Sequence, residues 1–305
     1  MAQQLSGFKR PEDTEVFRTQ YDELLASYWP DLPRAELDVP TSFGTTRIRR
    51  TGTANGTPIV MIHPTMGSSI GLFPFIARLT ADRAVYTPDT IGTPGRSDQT
   101  EPVSSVEALA AWLDEALDAL DLDRVHLVGY SEGGFVACIN AALTARPERL
   151  ASLTLIEPGG AIGDLRKRTL FGIATGGIKI MFARDKRAAM RRLGHWMNGS
   201  TVDMPDDVTD FVQFASTKFR YRIPRPKKLP DDQLRRIACP TLLMLGENSR
   251  LFDAQRLADR ARQLLPNLTT YIEPGGGHGF GYDHPDATMD RVLEFIDEHD
   301  QSPST

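Results

Sequence analysis

Short apolar runs and longer amphipathic stretches alternate along most of the chain. From residue 11 to 29, apolar side chains recur at helical spacing, which predicts an N-terminal helix. The apolar runs predict strands at residues 37–42, 45–50, 59–62, 84–87, 125–128, 153–156, 241–245 and 269–272. Amphipathic stretches predict helices at residues 69–80, 104–120, 134–145, 253–264 and 285–299. Because parallel strands need such crossover helices, the alternation predicts an α/β architecture with a mostly parallel sheet covered on both faces.

One segment interrupts this alternation. Residues 159–238 contain helical stretches at 179–196 and 208–218 and a proline-broken segment at 223–226. We interpret this segment as a helical lid inserted over the sheet. The rest of the chain, residues 1–158 and 239–305, then forms one core domain, in which residues 1–36 carry the lead-in helix.

The charge of the chain argues against nucleic acid as a partner, and it differs between the predicted core and the predicted lid. The 305 residues carry a net charge of −5, which does not suit a chain that coats nucleic acid. The predicted lid differs, because it holds 17 Lys and Arg against 8 Asp and Glu. These cations could steer an anionic or carrier-bound acyl substrate, or they could form a solvated face that complements an acidic body.

Several further features bear on location and cofactors. The two cysteines, Cys138 and Cys239, indicate no disulfide framework, and residues 1–10 lack the pattern of a secretory signal, so we expect a cytoplasmic protein. The apolar runs are far shorter than the roughly 20 residues that cross a bilayer, so a membrane is not expected as a partner. No clustered His, Cys and carboxylate set suggests a metal, and we expect no cofactor. The oligomeric state stays open.

The strongest chemical motif is Gly-Tyr-Ser-Glu-Gly at residues 129–133, which matches G-x-S-x-G between a predicted strand and a predicted helix. A nucleophile on so sharp a turn needs small neighbours, and the two glycines provide them. The turn lifts the Ser131 hydroxyl to the carboxyl edge of the sheet. We therefore predict Ser131 as a nucleophile; the alternative is a glycine-rich turn with an incidental serine.

A serine hydroxyl needs a neighbouring base, and imidazole suits that task near neutral pH. His278 lies in a glycine-rich loop after the last predicted strand, which opens at the sheet edge that Ser131 occupies. We expect His126, His284 and His299 to be structural or on the surface. For His195 in the lid we expect packing in the core or on the surface, with contact to substrate as the alternative. His278 is therefore the predicted base.

The loop after the central strand carries the predicted oxyanion donor. Residues 63–69 read His-Pro-Thr-Met-Gly-Ser-Ser, where an acyl-transfer enzyme of this plan needs its second donor. Because Pro64 has no N–H, we predict the backbone amides of Thr65 and Glu132 as the pair. An ordinary strand-to-helix loop is the alternative.

Together these motifs resemble the α/β-hydrolase superfamily, in particular its microbial carboxylesterase-like members. The resemblance covers residues 37–298 apart from the lid and rests on residues 63–68, 89–97, 129–134, 246–248 and 276–278. It implies the α/β-hydrolase fold and a triad of serine, acid and histidine in that chain order. It also implies that Asp89 and residues 95–97 form a mainly structural loop. One departure from the family is His63-Pro64, where the family usually has His-Gly.

A second departure concerns the acid of the triad. The family commonly places Asp or Glu three residues beyond the glycine that follows the strand at 241–245, yet this chain has Ser249 there. Some members supply the acid from the preceding strand end, which favours Glu157. Asp253 is the second candidate, although it also stands where a helix N-cap is expected. Glu247 and a bare Ser-His dyad complete the alternatives.

We predict from these residues a serine hydrolase that cleaves an ester (a carboxylic ester, lactone or thioester) of a small-molecule acyl substrate through an acyl-enzyme on Ser131. An acyltransferase or cyclase of a biosynthetic pathway would use the same residues. A non-catalytic binding protein of this fold is a further alternative, favoured by the missing acid at Ser249. Hydrolysis of a carbon-carbon bond also stays open.

Overall fold

The chain folds into one large sheet with helices on both faces. The structure is a computed structural model that describes residues 4–53, 56–65, 68–199 and 203–300, the side chain of Leu170 excepted. The strands are β1 (Gly7–Phe8), β2 (Arg34–Thr41), β3 (Gly44–Thr51), β4 (Ile59–Ile62), β5 (Val85–Pro88), β6 (Asp98–Gln99), β7 (Val125–Tyr130), β8 (Leu150–Ile156), β9 (Phe219–Arg220), β10 (Thr241–Gly246) and β11 (Leu268–Glu273). The helices are α1 (Pro11–Tyr28), α2 (Phe73–Leu79), α3 (Val106–Asp118), α4 (Glu132–Leu143), α5 (Lys167–Phe182), α6 (Lys186–Asn198), α7 (Asp206–Lys218), α8 (Asp231–Leu234), α9 (Ala254–Leu264), α10 (Phe280–Asp283) and α11 (Pro285–His299). Two 3₁₀ turns cover Ser69–Leu72 and Pro147–Arg149.

The sheet has the order β11-β10-β8-β7-β4-β5-β3-β2, with β6 paired to β3. All pairs from β11 to β5 are parallel, whereas β3 pairs antiparallel with β5, β2 and β6. The central strands β4 and β7 are buried along their whole length, as their continuous apolar runs require. The predicted mostly parallel sheet is therefore confirmed.

The register of the central strands determines where their carboxyl ends lie. Ile62 pairs with Gly129, and Ile156 pairs with both Tyr130 and Met244. The carboxyl ends of β4, β7, β8 and β10 therefore lie side by side at one sheet edge. Helices cover the two faces and bury one apolar cluster on each.

The segment predicted as a lid, residues 159–238, which we call the insertion, contains α5 to α8 and β9. The single helix predicted at residues 179–196 is wrong, because α5 ends at Phe182 and α6 begins at Lys186. Asp185 causes the break: its side chain accepts a hydrogen bond from the Ala188 N–H and so caps α6.

The N-terminal helix contacts both the core and the insertion. On the core side, the Tyr21 hydroxyl lies 3.0 Å from Ser69 Oγ. On the insertion side, the Phe17 ring stacks on Phe211 of α7 with centroids 4.6 Å apart, and β1 pairs with β9. Helix α1 therefore joins the insertion to the core.

Candidate active site

The turn at Ser131 has a left-handed backbone conformation and requires glycine at the positions two before and two after the serine. Ser131 has a φ of +52°, and its N–H donates to Ile156 O at 2.9 Å. A Cβ on Gly129 would lie 2.3 Å from Gly133 O, and one on Gly133 would lie 2.1 Å from Ile62 O. The glycines on both sides of the serine are therefore required by close backbone approach.

The His278 imidazole stands between a hydroxyl and a carboxylate. Its Nε2 lies 3.0 Å from Ser131 Oγ, and its Nδ1 lies 2.7 Å from Glu157 Oε2. The Tyr130 hydroxyl donates to the His278 carbonyl at 2.8 Å and steadies the loop. A carboxylate only accepts, so Nδ1 carries the proton and Nε2 is free to accept from Ser131.

Glu157 is fully buried at the end of β8. Its Oε1 accepts from the Gly246 N–H, and its Oε2 accepts from the Ser249 hydroxyl as well as from His278, each at 2.7 Å. These three donors offset the loss of water around a buried carboxylate. Glu157 is thus the carboxylate that the fold brings to His278.

The other two acid candidates are engaged elsewhere. Asp253 is the N-cap of α9, where it accepts from the Arg256 N–H at 3.2 Å and pairs with Arg166 at 3.4 Å. Glu247 accepts from the Gly275 N–H at 2.8 Å. Asp253 as the acid is therefore corrected to a helix cap, and Glu247 supports the base of the His278 loop.

Sequence reasoning dismissed Ser249 as an acid and missed its use as a donor. Its hydroxyl reaches the same Glu157 oxygen that contacts His278. The available signal was its position three residues beyond Gly246, from which its hydroxyl reaches Glu157.

His63 fixes the loop that carries the predicted oxyanion donor. Its Nε2 accepts from the Thr90 N–H at 3.1 Å, so its Nδ1–H donates to Pro64 O at 2.8 Å. Burial lowers the pKa of His63 and favours this neutral form. In a trans peptide, the N–H points opposite to the C=O, so the Thr65 N–H points away from the His63 ring.

Glu132 follows the nucleophile as the first residue of α4. The first amides of a helix have no partner within it, which leaves the Glu132 N–H available to an oxyanion. Thr65 lies three residues beyond the end of β4, which pairs with β7 up to Ile62 and Gly129. The two predicted amides thus follow adjacent strands at one sheet edge.

The insertion touches the His278 loop directly. The Asn198 carbonyl at the end of α6 accepts from the Gly279 N–H at 2.8 Å. A Cβ on Gly277 would lie 2.2 Å from the same carbonyl oxygen. The position of α6 and the position of the His278 loop are therefore coupled.

Among the described residues, no group of three or more His, Cys, Asp and Glu residues is arranged to hold a metal ion. No helix in this part of the chain combines the length and the apolar character that a membrane span needs.

Known proteins are similar to this chain in sequence and in fold. The profile of the Alpha/beta hydrolase family matches residues 59–291 of this chain. The chain belongs to this family. This α/β hydrolase is 27% identical over 303 residues to carboxylesterase YbfK of Bacillus subtilis (strain 168), covering 97% of this chain and 98% of that protein.

A second sequence relative and a solved structure, both from Bacillus subtilis, are also similar. One is described as the uncharacterized carboxylesterase nap of strain 168, which is 26% identical over 286 residues that cover 90% of each chain. The other is the crystal structure of naproxen esterase (carboxylesterase NP), with a TM-score of 0.83 and 23% identity over 94% of this chain and 99% of that one. The structural likeness shows that the fold is shared over 94% of this chain.

Proposed function

We propose that this α/β hydrolase is a serine esterase that cleaves a carboxylic ester, lactone or thioester of a small molecule through an acyl-enzyme on Ser131. The observation that carries the proposal is the hydrogen-bonded series from Ser131 Oγ through His278 to Glu157. The carboxylesterases among its relatives support the ester as the bond that is cleaved.

Each group has a step in the reaction. Ser131 Oγ attacks the acyl carbon while His278 Nε2 takes its proton, and Glu157 stabilises the imidazolium that forms. The Thr65 and Glu132 amides stabilise the oxyanion. The tetrahedral intermediate collapses, His278 protonates the leaving group, and the acyl-enzyme remains. A water molecule, deprotonated by His278, then attacks the acyl carbon. The second tetrahedral intermediate releases the acid as His278 returns the proton to Ser131 Oγ.

The insertion has the role of a lid in this proposal. It lies beside the His278 loop through Asn198 and would limit the acyl group that reaches Ser131. Part of its positive charge is engaged locally: Arg187 and Arg191 pair with Asp206, and Lys218 pairs with Asp13 of α1. These pairs favour the interpretation that the positive charge of the insertion complements acidic residues of the protein. They argue against the interpretation that it steers an anionic or carrier-bound substrate.

Two alternatives use the same fold. A non-catalytic binding protein was favoured by the missing acid at Ser249, and Glu157 beside His278 removes that reason. An acyltransferase or cyclase would pass the acyl group to an alcohol or amine, and product analysis with and without that nucleophile separates transfer from hydrolysis. The cytoplasmic location, the absence of a nucleic-acid partner and the absence of a cofactor stay predictions.

The experiment compares the wild-type protein with Ser131→Ala on short p-nitrophenyl esters. The variant should fold normally, because the change removes one hydroxyl, and kcat should fall by at least about 10³-fold. Equal turnover by both proteins would contradict the proposal.

A further inference from the structure

Helix α5 of the insertion presents an apolar face to solvent. Phe171 and Phe182 are 71% and 80% exposed, and Ile178 and Met181 are more than half exposed. Phe171, Ile178 and Phe182 are spaced by seven and four positions, so they lie on one side of the helix. Large apolar side chains that cluster on a protein surface mark a site of contact with another molecule or with a membrane.

The packing of α5 within the protein leaves this face uncovered. Its glycines lie against α6, because a Cβ on Gly172 would lie 2.1 Å from the Trp196 ring. A Cβ on Gly176 would lie 2.5 Å from the Leu193 side chain. Gly172 lies one position after Phe171, which turns it by about 100° around the helix axis. Helix α5 therefore uses its glycine side for the contact with α6 and leaves its phenylalanine side exposed.

Cations surround the exposed face. Residues 167–186 contain five Lys and Arg residues and one carboxylate, Asp185, which is engaged as the N-cap of α6. The five cations are all exposed: Lys167, Arg168, Lys179, Arg184 and Lys186. Within the described residues, none of the five forms an ion pair, whereas Arg187 and Arg191 on α6 both pair with Asp206. The positive charge at this face is therefore not neutralised by the protein.

This charge selects among the surfaces that could cover the apolar face. A second copy of the chain, docked through the same face, would bring like charges together, which is unfavourable. The surface of an anionic lipid bilayer supplies phosphates for the cations and an apolar layer for the aromatic side chains. A helix with Phe on one side and Lys and Arg at its borders is typical of helices that lie in the plane of such a surface.

We propose that α5 is a membrane-contact helix: Phe171, Ile178 and Phe182 enter the surface of an anionic bilayer, and the five cations bind its phosphates. No spanning segment is needed, because the helix lies along the surface. Such binding would correct the expectation, drawn from the short apolar runs, that a membrane is not a partner. It goes beyond the proposed esterase function and does not depend on it, since it requires no turnover.

The test is co-sedimentation of the full chain with vesicles of phosphatidylcholine alone or of an equimolar mixture with phosphatidylglycerol, at low salt. The wild type should bind the mixed vesicles at least about 10-fold more tightly, and added salt should reduce the difference because it screens the charges. Ser131→Ala should bind as the wild type does. Loss of the esterase reaction and loss of membrane contact are therefore separate results.

The apolar face is tested with Phe171→Ser/Phe182→Ser. Binding to the mixed vesicles should weaken at least about 10-fold, because two aromatic side chains no longer enter the apolar layer. Leu5→Ser/Val16→Ser is the matched control, since it removes two exposed apolar side chains outside the insertion. The control should bind as the wild type does. All four side chains are exposed, so both variants should keep the melting temperature of the wild type.

The cations are tested with Lys179→Gln/Arg184→Gln, which should weaken binding to the mixed vesicles at least about 10-fold. The control is Arg235→Gln/Arg256→Gln, which removes the same charge away from α5. Both of these arginines are exposed, and neither forms an ion pair within the described ranges. Because they lie outside the contact, the control should bind within about 2-fold of the wild type.

Three results would overturn the inference. The first is a wild-type protein that binds neither kind of vesicle, and the second is equal binding by the wild type and Phe171→Ser/Phe182→Ser. The third is a wild-type dimer, seen by sedimentation velocity without lipid, that dissociates in Phe171→Ser/Phe182→Ser. That result would assign the apolar face to a second copy of the chain.

Discussion

Glu157 Oε2 lies 2.7 Å from His278 Nδ1, although 121 positions separate the two residues in the chain. The contact forms because β8, which ends at Ile156, lies between β7 and β10 in the sheet. The carboxylate therefore reaches the histidine from the strand next to the nucleophile, and Ser249 occupies the position beyond β10.

This arrangement predicts which carboxylate orients His278. In Glu157→Gln, the amide cannot stabilise the imidazolium, and kcat on p-nitrophenyl esters should fall by at least about 10²-fold. Asp253→Asn is the matched control, because asparagine caps a helix as well as aspartate does. Its kcat and melting temperature should stay at wild-type values; a large loss in Asp253→Asn with none in Glu157→Gln would reverse the assignment.

Ser249 should matter as a donor and not as an acid. Removing its hydroxyl in Ser249→Ala leaves Glu157 Oε2 with one donor fewer, and a hydrogen bond to a charged group contributes about 1.5–3 kcal/mol. We expect kcat to fall about 10-fold if most of that energy orients the triad. Ser249→Asp should be slower still, because it sets a second negative charge beside Glu157. Steady-state kinetics that rank Ser249→Asp above Ser249→Ala would count against this role.

The insertion and the His278 loop should move together. In Gly277→Ala, the new methyl group would clash with the Asn198 carbonyl, so either α6 or His278 must shift. A displacement of about 1 Å can cost up to about 10²-fold in rate, and we expect kcat to fall at least about 10-fold.

Gly275→Ala in the same loop is the control. A Cβ there meets no atom within 4 Å, and only its φ of +70° is strained. It should lose about 1 kcal/mol of stability and keep kcat. Equal rates for the two alanine variants would show that the close approach of Asn198 does not hold the loop.

His126 should make the fold sensitive to acid. Burial lowers the pKa of this histidine to about 4, between Ser152 and Asp300. Above about pH 6.5, the imidazole is neutral in the folded and unfolded chains alike. Between about pH 6.5 and 4, only the unfolded chain takes up the proton, so the free energy of unfolding should fall by roughly 3 kcal/mol.

Urea unfolding of the wild type and His126→Asn at pH 7, 6, 5 and 4 isolates this contribution. The stability of the wild type should decline relative to the variant as the pH falls. Parallel curves for the two proteins would show that His126 does not titrate in this way.

The sequence predicted the strand ends that carry the chemistry. A continuous apolar run followed by Gly-Tyr-Ser-Glu-Gly places Ser131 at a sheet edge, and a strand before the glycines of residues 275–277 places His278 at the same edge. Both predictions depend on local pattern and on the parallel order of the strands, which short-range periodicity reveals.

The sequence ranked Glu157 above Asp253 as the acid, but it left the choice between them open. Glu157 and Asp253 both follow strands that end at this edge, and the choice depends on which side chain turns toward His278. The positive φ of Glu157 and the capping bond of Asp253 decide this, and neither is a property of composition. The break between α5 and α6 was missed because residues 183–185 contain no glycine or proline, and the one signal was Asp185 as a cap.

Covalent labelling of Ser131 tests the central claim most directly. A fluorophosphonate probe should react with the wild-type protein to give one adduct, and peptide mapping by mass spectrometry should locate it on Ser131. Ser131→Ala should give none. A wild-type protein that stays unlabelled, or an adduct on another residue, would contradict the assignment of Ser131 as the nucleophile.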